Sequence, residues 1–118
     1  MFNSTISMLR VKDARAAETF YCDKLGFQKS WEYDPGDGDP IFVEVTRDQV
    51  QFHLSEHEGD GPPGVQLYVN VADAKKLYDE LISKNVVIND PPYEAPWEHM
   101  VFELQDLDGN TLRIGSPI

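Results

Sequence analysis

Two aspartates, Asp13 and Asp73, stand sixty residues apart, each just before a stretch with helical spacing, and this repetition constrains the chain more than any other feature. Asp13 opens "ARAAETFYCDKLGF", in which Ala17, Phe20, Tyr21 and Leu25 fall on one side, and Gly26 follows as a stop. Asp73 opens "AKKLYDELISKN". An aspartate there accepts hydrogen bonds from the free N–H groups of the first turn, and a glycine past the end takes the left-handed backbone that closes a helix. The segments around each helix follow one order. "STISMLRV" precedes the first helix, and "FQKSWEY", "IFVEVT" and "VQFHLSE" follow it; "VQLYVNV" precedes the second, with "VVI", "MVFEL" and "TLRI" after it. Each reads as a strand by its alternation of apolar and polar residues. Val50-Gln51-Phe52 and Leu112-Arg113-Ile114 are the matching closing strands, about 62 residues apart. The expectation is an α+β fold in one domain spanning residues 1–118, with module one at about 4–55, a linker at 56–64 and module two at about 65–118. Two βαβββ modules then form a curved mixed sheet, with the helices on its outer face and an open cleft on the other.

Strand parity assigns those faces. Val50, Phe52 and Leu54 belong under a helix, as do Val65, Leu67, Val69 and Val71, and Leu112 with Ile114. The opposite face receives Gln51 and His53, then Gln66, Tyr68 and Asn70, then Arg113. Trp31 and Tyr33 share one face of their strand, as do Phe42 and Glu44, whose counterparts in the second module are Val101 and Glu103. The segment "EHEGDGPPG" reads as a solvated linker with nothing to pack. "DLDGN", residues 106–110, is a tight turn, since Asp-Gly-Asn supplies left-handed positions.

Charge and composition narrow the function classes. The net charge is −11, from 21 acidic and 10 basic residues, which disfavours nucleic acid as a partner and attracts cationic ligands, although acidity also serves solubility alone. Apolar residues make up 41% and aromatics 11%, enough for a packed core, and no run approaches a membrane span. The start of the chain does not read as a signal peptide. Cys22 stands alone, which suits a reducing cytoplasm and a packing role on its helix.

"AAETFYCDKLGFQ" and "DLDGNTLRI" resemble segments of the glyoxalase/bleomycin-resistance/dioxygenase superfamily, the vicinal oxygen chelate fold, and "APWEHMVFELQDLDGN" with the final "RIGSPI" resembles its bleomycin-resistance branch. In metal-using members, four ligands come from equivalent strands. The resemblance puts those positions on Ile6, Gln51, Gln66 and Arg113. An isoleucine has no lone pair, an arginine repels a divalent cation, and two amides are weak neutral ligands, so no metal and no other cofactor is expected. The resemblance also implies a homodimer whose clefts form where two chains meet, with an exchanged N-terminal strand.

Other residues keep two readings open. Arg113 either pairs with Glu103 across the last hairpin or touches a ligand, and both roles are compatible. Tyr93, Trp97 and His99 in "YEAPWEHM" either cover one end of the core or wall a binding site, and Trp31 and Tyr33 face the same choice. His53 and His57 are four apart, but on a strand running into a Gly/Pro loop rather than on a helix, which weakens a metal reading; His53 remains a ligand candidate. No nucleophile with an assignable base and no phosphate loop can be read. The expected site therefore comprises Trp31, Tyr33, Phe42, Glu44, Gln51, His53, Gln66, Tyr68, Trp97, Glu103 and Arg113: an aromatic trough with carboxylates on its floor, holding a flat cationic molecule of the bleomycin kind without catalysis. The alternatives are a metal-dependent lyase or dioxygenase of the same fold, which would enlist His53 with Glu44 or Glu103, and a binder of an unrelated metabolite.

Overall fold

The computed structural model describes all 118 residues. Module one runs β1 (Ser7–Arg10), α1 (Ala14–Thr19, continuing as a wider π-type turn over Phe20–Lys24), β2 (Gln28–Tyr33), β3 (Phe42–Arg47) and β4 (Val50–Ser55). Module two runs β5 (Gln66–Asn70), α2 (Ala74–Ser83), β6 (Tyr93–Ala95), β7 (His99–Gln105) and β8 (Thr111–Pro117). The expected mixed sheet is divided between the modules into two four-stranded sheets, ordered β1-β4-β3-β2 and β5-β8-β7-β6. In each, the first strand pairs parallel with the last and the remaining pairs are antiparallel. The fold is α+β, with two βαβββ modules. No helix is long and apolar enough to cross a membrane.

The repeat is stricter than the sequence reading. Asp13 caps α1 through the N–H groups of Arg15 and Ala16, and Asp73 caps α2 through Lys76. Ser7 faces Phe52 and Leu67 faces Leu112, so the closing strands repeat at 60 residues, not 62. His53, rather than Gln51, is therefore the counterpart of Arg113. The first N–H of each helix obeys the same interval: Ala14 donates to Glu56 at 2.8 Å, and Ala74 donates to Ser116 at 2.9 Å.

Three further expectations are corrected. β1 is shorter than "STISMLRV", leaving exposed Ile6 outside it. "VVI" is not a strand: Val86 is buried in the core, Val87 is exposed, and the edge of β7 is paired instead by Tyr93–Ala95. The acidic linker is not idle. Glu56 accepts from Ala14 and Ile41, while Asp60 accepts the Ser55 hydroxyl at 2.6 Å.

One apolar cluster of 18 buried residues serves both modules, from Leu9, Val43, Val45 and Leu54 to Phe102, Leu104, Leu112 and Ile114. It lies on the helix side of both sheets, as parity requires. Cys22 packs against it, and burial, with Glu18 and Asp23 nearby, pushes its thiol up, in keeping with a packing role. Tyr21, fully buried, sends its hydroxyl across the seam to Asp106 at 2.8 Å. Burial foremost, and then the Asp106 carboxylate, holds this phenol far above the ordinary tyrosine range. A folded-state value raised in this way stabilises the protein below the unfolded phenol's pKa of about 10 and is lost as pH climbs beyond it. Stability measured by denaturant from about pH 8 to 11 is therefore expected to fall more steeply for the native chain than for Tyr21→Phe. Equal slopes would show that Tyr21 carries no such linkage.

Candidate functional site

The faces turned away from the helices carry the expected site residues, in two groups rather than one trough. On the first sheet, the register sets Met8, His53, Glu44 and Trp31 in one row, and Arg10, Ser55, Phe42 and Tyr33 in the next. Phe42 stacks on His53 with ring centres 4.8 Å apart and on Tyr33 at 5.7 Å, while Trp31 stands edge-on to both Phe42 and His53. Glu44 and His53 are buried beneath these rings, their side chains joined at 2.8 Å. Ser30 donates to the other Glu44 oxygen at 2.7 Å. Burial raises the Glu44 carboxyl, but the hydrogen bonds from Ser30, His53 and Trp31 outweigh it and hold the group below the usual carboxylate range. The carboxylate on this floor is thus already matched by its own neighbours.

The second sheet carries the other group. Glu103 and Arg113 are directly opposite each other, and Arg113 Nε donates to Glu103 at 3.0 Å. Tyr93 donates its hydroxyl to the same carboxylate at 2.9 Å, which raises the Tyr93 phenol. The Arg113 guanidinium also lies 5.9 Å from the centre of the Trp97 ring. Both readings of Arg113 are compatible with this geometry: it pairs with Glu103 and presents itself on the exposed face. Trp97 Nε1 donates to Tyr68 Oη at 3.0 Å, and Tyr68 Oη meets His99 Nδ1 at 2.8 Å. An indole N–H only donates, so the Tyr68 proton is free for the histidine. Gly115 makes this chain possible, since a Cβ there would collide with the Tyr68 hydroxyl.

Gln51 and Gln66 stand on these faces, and neither makes a side-chain hydrogen bond. No hydrogen bond, ion pair or ring contact links the first group to the second within one chain. Sequence reasoning placed Tyr93 and His99 only loosely and missed Arg10. The alternation of β1 puts Arg10 on the same side as Met8, a signal that was available.

Glu44 and His53 are the nearest approach to a metal-ligand pair, but they are spent on each other, and no cluster of three His, Cys, Asp or Glu side chains forms. At the second of the expected metal positions, the 60-residue repeat substitutes His53 for Gln51. A cavity of about 790 Å³ lies away from both aromatic faces, on the helix side of the seam. It is lined by core residues such as Leu25, Phe52, Val69 and Ile114, with the Arg47–Glu80 ion pair, 2.9 Å, at its edge. It holds none of the expected site residues.

Comparison with known proteins agrees with this architecture. The family model described as glyoxalase superfamily protein matches residues 1–117. No curated protein matches the chain. A member of the glyoxalase/bleomycin resistance protein/dioxygenase superfamily from Sphaerobacter thermophilus is 24% identical, with 98% of each chain covered and a TM-score of 0.80. The bleomycin-binding protein of Streptomyces verticillus, solved with copper(II)-bleomycin, is 25% identical, covering 100% of this chain and 98% of that one at a TM-score of 0.78. TnmS3, an antibiotic binding protein from a Streptomyces species, is 20% identical, with the same coverage and a TM-score of 0.81. With a family model spanning nearly the whole sequence and two βαβββ modules in the fold, the chain belongs to the glyoxalase superfamily.

Proposed function

We propose that this chain is a non-enzymatic binding protein that sequesters a flat, cationic, aromatic small molecule, working as a cytoplasmic homodimer. One observation carries the reading. The exposed large aromatic side chains, apart from Phe2, all lie on the two faces described: Trp31, Tyr33, Tyr68, Tyr93 and Trp97, each between 40 and 48% exposed. Contiguous exposed aromatic surface marks a binding site. Such rings stack on heterocycles and attract cations, each contact contributing about 0.5–2 kcal/mol. The carboxylates beneath are already hydrogen-bonded by their own neighbours, so preference for a cation comes from the rings and from the field of the −11 chain.

The division of the faces supports the dimer. A two-fold pair lays the first face of one chain against the second face of its partner, and each composite cleft then has aromatic walls on both sides. The binding of bleomycin by the Streptomyces verticillus protein is in keeping with a ligand of this type. The exchange of the N-terminal strand "STISMLRV" belongs to the same proposal: β1, paired here with β4 of its own chain, takes the equivalent place in the partner's sheet.

Titration of intrinsic tryptophan fluorescence with metal-free bleomycin, beside a neutral aromatic control, tests the ligand class. A saturable change at about micromolar concentration, weakened by salt and absent with the control, is expected. A flat titration would remove the bleomycin-like ligand and favour an unrelated metabolite. Size-exclusion chromatography is expected to show twice the 13.4 kDa mass of the chain. Stoichiometric zinc, iron or manganese in the purified protein would overturn the non-enzymatic reading in favour of a lyase or dioxygenase.

A further inference from the structure

The first aromatic face ends in an open pocket, where Tyr33 and Phe42 meet Arg10, Glu56, His57 and Asp60, residues that the reading above does not use. Arg10 stands beside Ser55 in the register, in the row that continues through Phe42 to Tyr33. Its Nε is buried and has no hydrogen-bond partner, and the same is true of His57 Nε2. A guanidinium stays charged at any physiological pH, and Arg10 belongs to none of the ion pairs of the chain. Of the three acids that line the pocket, Glu56 and Asp60 are engaged elsewhere. Both Glu56 oxygens receive backbone N–H groups, from Ala14 at 2.8 Å and Ile41 at 3.2 Å, and Asp60 receives the Ser55 hydroxyl. Arg10 Nε always carries its proton, and a buried donor without an acceptor is costly; with the unpartnered His57 Nε2 lining the same pocket, the site favours a ligand oxygen.

We infer that Arg10 and His57 form a carboxylate-binding subsite at the end of the first aromatic face, and that the ligand carries a carboxylate beside its ring. The planar guanidinium fork matches a carboxylate, and the proton of the His57 Nε2 tautomer supplies a second donor. Tyr33 and Phe42 stack on each other, and each ring lies 6.2 Å from that of His57, so an aromatic group next to the carboxylate meets them. Glu56, Glu58 and Asp60 also line the pocket, and their charge disfavours a doubly charged phosphate relative to a singly charged carboxylate. The inference rests on the reading that this face binds a small molecule, and it makes that molecule a zwitterion rather than a simple cation.

The test compares 2-naphthoate with the neutral 2-naphthalenemethanol by calorimetry on the full chain, alongside an acetate titration of the Arg10 Nε–H signal by nuclear magnetic resonance. Naphthoate is expected to bind about tenfold more tightly than the alcohol or better. Arg10→Gln brings the ratio of the two affinities to about one, and His57→Gln lowers it part of the way. Acetate alone shifts the Arg10 signal saturably. Equal binding of the two naphthyl compounds by the native chain, with the Arg10 signal unmoved by acetate, overturns the subsite and leaves the aromatic face standing. Failure of both naphthyl compounds, with acetate still moving Arg10, keeps the subsite and removes the aromatic-face reading.

Discussion

Asn110→Ala is expected to destabilise the protein by about 3 kcal/mol or more, a large fraction of the stability of a small domain. Asn110 is fully buried, and its amide connects three segments. The side-chain oxygen accepts from Gly64 and Val65, both at 3.1 Å, where the chain enters module two. The amide nitrogen donates to the Arg10 carbonyl at the end of β1 and to Asp106 at 3.0 Å. Asp106 in turn accepts from the Asn110 and Asp108 backbones and from the Tyr21 hydroxyl. Alanine leaves two N–H groups and a carbonyl without partners at the junction of the modules, and no water-sized rearrangement of a single side chain replaces all three. Urea denaturation of both chains measures the difference. A change below about 1 kcal/mol would mean that the junction is held by the apolar core and not by this amide.

The motif "DLDGN" was legible as a turn, and the turn is there, with Gly109 in the left-handed region. What it also does, clipping module two to β1, was not legible, because the partners Arg10, Gly64 and Tyr21 are distant in sequence and polar contacts leave no periodic trace. The strand faces were legible for the opposite reason: alternation follows from backbone geometry, and it placed Phe52, Leu54, Leu112 and Ile114 in the core and His53, Tyr68 and Arg113 outside it. The offset of the closing strands was not legible. Alternation has a period of two, so a match displaced by two residues leaves every face unchanged, and it put Gln51 where His53 belongs. The linker was misread because composition reports solvation and not hydrogen bonding. Glu56 looks like a surface acid, yet it completes the first turn of α1 as Ser116 does for α2. The separation of the aromatic residues into two groups had no sequence signal at all. Parity says which side of a sheet a residue is on, and says nothing about which sheet that side faces.

That separation leads to the second large effect. Removing Trp31 and Tyr33 together, or Tyr68 and Trp97 together, is expected to weaken ligand binding by about 2 kcal/mol or more, roughly thirtyfold, since each variant strips one wall of the cleft. In the proposed two-fold dimer, every cleft takes its first wall from one chain and its second from the partner. The two variants therefore complement each other. A mixed dimer has one cleft with both walls stripped and one cleft with both intact, so an equal mixture that exchanges subunits freely recovers about a quarter of the native clefts at native affinity. A site contained in one chain cannot behave this way, because each chain in the mixture still lacks one wall. Fluorescence titration of the mixture, after subunit exchange has been verified by light scattering on differently tagged chains, separates the two cases. Recovery of high-affinity sites establishes the composite cleft. No recovery in a mixture that demonstrably contains mixed dimers would confine binding to one chain, and the first face, with Arg10 and His57 at its end, would then be the face to pursue.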